Sequence, residues 1–118
     1  MSLSDRLDEL RRDVPGCALV SFGDISTGLA LRTSASRQHK QDYLEEVMQQ
    51  AARNFALSDT MSKDNDMVVV ATPDEVRIFV RSSAGNSDVL CCVCDSVAEL
   101  DHVARAAQRI LTDMSRAA

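Results

Sequence analysis

Apolar residues recur along this chain at two spacings, and each switch between them marks a new element. Leu3, Leu7, Leu10 and Val14 return at helical intervals behind Ser2 and Asp5, which have capping-box spacing, until Pro15-Gly16 breaks the pattern. A short helix is predicted there. The run CALVSF, from Cys17 to Phe22, is apolar on both alternating sets; GDISTG then supplies a glycine-bounded turn before LALRTS. This reads as strand, hairpin, strand. Neither face of CALVSF is polar, so helices are expected to cover the strand on both sides.

SASRQHK leads into a long helix predicted from about His39 to Leu57, with Leu44, Val47, Met48, Ala51, Ala52 and Phe55 on its apolar side. From Tyr43 through Leu44 to Ala52 and Ala56 the apolar arc covers roughly 220°, wider than one sheet face requires. A second protein chain accounts for the surplus, and so does a helix tucked under loops or partly exposed. Past SDTMSKDND come MVVVAT, Pro73-Asp74, EVRIFVRS, SAGNS and DVLCCVC, which read as strands joined by two hairpins. In the middle strand Val76, Ile78 and Val80 face one way and Arg77, Phe79 and Arg81 the other, so the second face is expected to be at least partly wet. Ser96 with Glu99 forms a second capping box. Val97, Leu100, Val103, Ala104, Ala107, Ile110, Leu111 and Met114 carry a helical stripe to the end. The order α-β-β-α-β-β-β-α defines an α/β (α+β) chain. No repeat or long linker divides it, so residues 1–118 are read as one domain.

Composition narrows the function. With 45% apolar and 26% charged residues, no window approaches the roughly 20 apolar residues of a membrane helix. MSLSDRLDELRRD has no continuous apolar core and is not a secretory signal, which places the protein in the cytoplasm, where thiols stay reduced. A net charge of −5 and a pI near 4.9 repel phosphate backbones, and no basic stripe interleaved with aromatics overrides that. Nucleic acid is not an expected partner.

The conspicuous chemistry is VLCCVCDS. On a strand Cys92 and Cys94 share a face with Leu90, while Cys91 points the other way with Val89 and Val93. Same-face neighbours stand roughly 6.6 Å apart, too far for a disulfide, which wants Cβ atoms about 3.5–4.5 Å apart. CC and CxC spacings fail the structural zinc template, and neither His39 nor His102 belongs to a ligand pair. Buried free thiols are the expectation; a cross-strand pairing of Cys17 with Cys94 stays open if their strands are neighbours. No nucleophile, base and orienting acid stand out, and both histidines are expected on the solvated surface. The glycines fit neither GxGxxG nor GxxxxGK[ST], and SKDNDM lacks the glycine and terminal glutamate of a calcium loop. The expectation is no catalytic residue, no metal, no cofactor and no enzymatic activity.

VPGCALVSFGDISTGLALRTS resembles the opening of Roadblock/dynein light chain domains, and the long amphipathic helix, three hairpin-linked strands and closing helix extend the resemblance over nearly the whole chain. Pro15, Gly16 and Gly28 carry it together with the element pattern; profilin-like and longin folds use a similar element set. The resemblance implies a three-layer sandwich: a five-stranded antiparallel sheet in the order 2-1-5-4-3 with helices on both faces. That order brings Cys17 near Cys94 and leaves MVVVAT on an edge with no proline or inward charge to protect it. It further implies a homodimer joined through its third strands, with Met67, Val68, Val69, Val70 and Ala71 supplying the strand and Tyr43, Val47, Gln50 and Asn54 one flank of the helix. Prokaryotic proteins resembling this family are noncatalytic adaptors that bind a small Ras-like GTPase. The alternatives are a scaffold subunit of a motor or other complex that holds a peptide segment, and a small-molecule sensor with a pocket between helix and sheet.

Overall fold

The computed structural model describes residues 2–61, 66–82, 86–95 and 100–117. Helix α1 (Leu3–Asp13) begins as its spacing predicts: the Ser2 hydroxyl accepts from the Asp5 N–H and the Asp5 carboxylate accepts from the Ser2 N–H, both at 3.2 Å. Two helix-end donors are thereby satisfied. Leu7, Leu10 and Val14 are buried. The chain leaves α1 through Gly16 at φ +78°, a conformation that L side chains avoid, and a Cβ there would also collide with the Asp95 carboxylate.

The remaining elements are β1 (Cys17–Asp24), β2 (Leu29–Ala35), α2 (Gln41–Met61), β3 (Met67–Ala71), β4 (Val76–Arg81), β5 (Asp88–Cys94) and α3 (Leu100–Ala117). Every ladder is antiparallel and the strand order is β2-β1-β5-β4-β3. β5, almost wholly buried, takes the centre, with the similarly buried β1 on one side and β4 on the other. Among the described residues no helix is long and apolar enough to cross a membrane.

Each face of the sheet has its own core. On one, Leu7 and Leu10 of α1 and Val103, Ala107, Ile110 and Leu111 of α3 gather with Val20, Phe22, Ile78, Val80, Leu90 and Cys92. On the other, Val47, Met48, Ala51 and Phe55 of α2 gather with Phe79, Val89 and Cys91. Alternation along β5 feeds both cores at once, Val89 and Cys91 on the α2 side and Leu90 and Cys92 on the other, so this strand carries apolar residues at odd and even positions alike. At Gly23 the sheet lies close against α2: a Cβ there would lie 2.5 Å from the Met48 sulfur.

Three expectations need correction. The face of β4 carrying Arg77, Phe79 and Arg81 is not wet. It lies beneath α2, Phe79 is fully buried, and the two arginine side chains are only 14% and 17% exposed. Helix α2 also runs a full turn beyond Leu57, to Met61. Finally, His39 is not a freely solvated side chain. Its ring stacks on Tyr43 with centroids 5.0 Å apart, and its Nε2 is buried without a hydrogen-bond partner among the described residues. His102 is exposed. The capping box predicted at Ser96 and Glu99, and Val97 of the stripe, lie outside the described residues.

Candidate functional site

Among the described residues the sheet ends at two edges, β2 and β3, and β3 is the one that pairs with β4 alone and lies beside the end of α2. The Arg81 N–H donates to the Asp66 carbonyl and the Thr72 N–H to the Glu75 carbonyl, each at 2.9 Å. Antiparallel alternation then directs the backbone of Val68 and Val70 inward to β4 and that of Val69 and Ala71 outward, away from the sheet. The side chains divide by face. Val68 and Val70 pack on the α2 core and Met67 on the α1/α3 core, whereas Val69 is 38% exposed. The strand therefore offers an open donor and acceptor row flanked by valines, with none of the charges, prolines or bulges that protect edges.

The last turns of α2 run beside this edge. Leu57 is 61% and Met61 81% exposed, and with Asn54, Ser58 and residues 67–69 they line a shallow groove of ≈ 410 Å³. Apolar side chains of this size, clustered next to an open strand, form the kind of patch that marks an interaction surface. The helical reading missed Leu57 as a contact and assigned Met61 to the linker, because Ser58, Asp59 and Thr60 are weak helix formers. Tertiary contact overrides that preference. Arg81 reaches across from β4 to make two hydrogen bonds to the Asp59 carboxylate, at 2.6 and 3.0 Å, and lies 4.7 Å from the centre of the Phe55 ring.

Arg77 anchors the middle of the helix in the same way. Its guanidinium donates to Gln50 Oε1 and Glu75 Oε2 at 2.6 Å and to Glu46 at 3.2 Å, and it stands 5.6 Å from the Tyr43 ring. The Asn54 amide donates to the Gln50 carbonyl at 2.8 Å. Of the predicted helix flank, Tyr43, Gln50 and Asn54 are thus half-buried and held in place by their own chain. Val47 does not belong to that flank: it is fully buried in the α2 core and offers nothing to a partner. A helical position one face away from the sheet cannot be told from one beneath it until the helix rotation is fixed.

Replacing Arg81 by methionine is expected to free the last turn of α2. Loss of the cation over Phe55 alone is worth about 0.5–1 kcal/mol at a partly exposed site, and amide exchange at residues 57–61 should accelerate. The sign of the pH dependence follows from Asp59, whose carboxyl is held below its ordinary value of 3.8 by the Arg81 hydrogen bonds. A depressed acid stabilises the fold above its unfolded pKa and loses that contribution as the pH falls through the folded one. The stability gap between wild type and Arg81→Met should therefore narrow as the pH drops below 3.8. A gap that widens in acid contradicts the assignment.

The cysteines separate as the alternation requires. Cys17, Cys92 and Cys94 belong to the α1/α3 core, and Cys91 lies on the opposite face with its thiol 3.8 Å from the Met48 sulfur. All four are free, and Cys17 faces Cys94 across the β1–β5 ladder. Burial pushes the Cys91 thiol above the cysteine range. Among the described residues no group of three or more His, Cys, Asp or Glu side chains is placed to hold a metal ion.

This arrangement of sheet, edge and helices is the Roadblock/LC7 fold. The chain superposes on a Roadblock/LC7 domain from Streptomyces avermitilis with a TM-score of 0.80, 14% identity, and coverage of 98% of this chain and 97% of that one. Among more particular likenesses is Myxococcus xanthus MglB, at TM-score 0.74 and 13% identity over 97% of this chain and 92% of that one. Another is an MglB with a tetrameric arrangement, at TM-score 0.77 and 19% identity over 97% and 85%. At these identities the likeness is one of fold. No protein-family model and no curated protein matches the sequence.

Proposed function

We propose that this chain is a noncatalytic adaptor that acts as a homodimer and binds a small Ras-like GTPase. The observation that carries the reading is the open β3 edge lying beside the exposed Leu57 and Met61 of α2. Two copies related by a twofold axis place their β3 strands antiparallel, so each outward backbone row meets its own image and the two sheets become one. The same operation brings the two α2 helices together. Leu57 and Met61, with Asn54, Gln50 and Tyr43 along the flank, then lose their water. Val68, Val69, Val70 and Ala71 form the centre of the joined sheet, and Met67 its margin.

The GTPase assignment rests on analogy with the fold, since a fold alone does not define a partner. A continuous sheet topped by paired helices offers a broad, rigid platform suited to a folded domain. The test is a pull-down of the Ras-like GTPases encoded beside this chain, each loaded with GTP or GDP. Capture that depends on the nucleotide supports the adaptor. Capture of none, in either state, removes the partner and leaves the fold untouched. An extended peptide recovered from the β3 edge instead would favour the scaffold reading.

A further inference from the structure

We propose that Cys17 is an oxidation site and Cys94 its resolving thiol, so that a hydroperoxide converts the pair to a disulfide across the β1–β5 ladder. The inference is independent of the dimer and of any GTPase.

Three features of the ladder set it up. Cys17 and Cys94 are direct partners, and the Asp95 N–H donates to the Gly16 carbonyl at 3.0 Å while the Cys17 N–H turns away to Val14 at 3.1 Å. That pattern makes Cys17 and Cys94 a non-hydrogen-bonded pair, the close type, in which Cα atoms stand about 4.5 Å apart and the side chains project to the same side. This separation falls within the range of disulfides, about 4.4–6.8 Å. The register shift between Cys17 and Leu19 then supplies local slack in β1 on one side of the pair. Third, access is graded: Cys17 is 9% exposed, against 1% for Cys92 and Cys94 and 0% for Cys91. The oxidant meets Cys17 first.

The chemistry of the cluster agrees with that order. As a thiol Cys17 donates to the Leu19 carbonyl at 3.5 Å. Hydrogen bonds from the Cys92 and Cys94 thiols hold the Cys17 sulfur well below the usual cysteine range, and the same contacts push its two neighbours up. The lowered member is also the most exposed of the four, and a thiolate there is the form that reacts. The Cys17 thiolate attacks a peroxide oxygen; the O–O bond breaks, hydroxide or alkoxide leaves, and Cys17 becomes a sulfenic acid. The Cys94 sulfur then attacks the sulfenic sulfur, the S–O bond breaks, and the oxygen departs as water with the Cys94 proton. Two electrons leave the two thiols and reduce one hydroperoxide.

The experiment treats the folded, reduced protein with a molar excess of hydrogen peroxide, quenches it, and counts thiols after denaturation. The four thiols of the reduced chain should fall by two, with a mass loss of two hydrogens and a link from Cys17 to the peptide between Arg81 and Arg105. Because Cys91, Cys92 and Cys94 share that peptide, fragment ions assign the bond. Cys92→Ser should keep the link, whereas Cys94→Ala should lose it and leave a Cys17 sulfenic acid trapped by dimedone. Retention of every thiol overturns the proposal, as does a link through Cys92, a link between chains, or oxidation of Cys17 to sulfinate with no link. If a variant fails to fold, the wild-type fragment map decides alone.

Discussion

Val69→Pro is expected to yield a folded monomer. The backbone of Val69 points out of the sheet, so proline there removes no bond to β4, and edge positions of this kind are the ones at which strands accept proline. In the proposed dimer that N–H is a donor at the centre of the joined sheets. The twofold axis makes the loss count twice, and each lost bond leaves an unsatisfied carbonyl at about 1–3 kcal/mol. The dissociation constant should rise by at least about thirtyfold, since 1.4 kcal/mol is a factor of ten. Circular dichroism and a cooperative thermal transition report that the fold survives, and Val69→Thr, which keeps the N–H and the branched Cβ, should remain dimeric. A Val69→Pro protein as dimeric as the wild type would remove β3 pairing from the interface.

The second large effect is expected at Phe79. Its ring is fully buried at the centre of the α2 core, paired across the ladder with Cys91 on one side and Val68 on the other. Truncation to alanine leaves a cavity that the rigid sheet cannot collapse, which for phenylalanine costs about 3–5 kcal/mol. That is a large part of the roughly 5–15 kcal/mol that holds a domain folded. Urea unfolding at fixed chain concentration should show an unfolding free energy lowered by that amount, read as a lower midpoint at an unchanged slope. A shift below about 1 kcal/mol would mean that α2 settles onto the sheet without Phe79 and that the core has been misplaced.

These two residues also mark how far the sequence could be read. Residues of β1 and β5 announce themselves because both alternating sets are apolar, and that pattern has one solution, a strand covered on two faces. The Ser2 cap of α1 and the Pro15-Gly16 break are local signals and are equally legible. What resists is anything decided by an arginine. Arg77 and Arg81 look like a solvated face on paper, yet their stems lie beneath α2 and only their tips reach carboxylates and an amide at its margin. That hidden bracket is why α2 extends past Ser58 and why Leu57 and Met61 end up beside β3. The helix rotation is legible only in part: the surplus apolar arc is visible, but Val47 lies under the helix while Leu57, at its predicted end, faces outward. The pairing of Cys17 with Cys94 depends on which strands are neighbours, and no local pattern carries that.

The pairing of two copies through β3 is tested most directly by sedimentation equilibrium of the wild-type chain at tens of micromolar, roughly where even a modest contact is populated. The dimer model predicts a mass near twice 12.9 kDa, falling toward the single-chain value on dilution and absent for Val69→Pro. A mass of one chain throughout that range would contradict it.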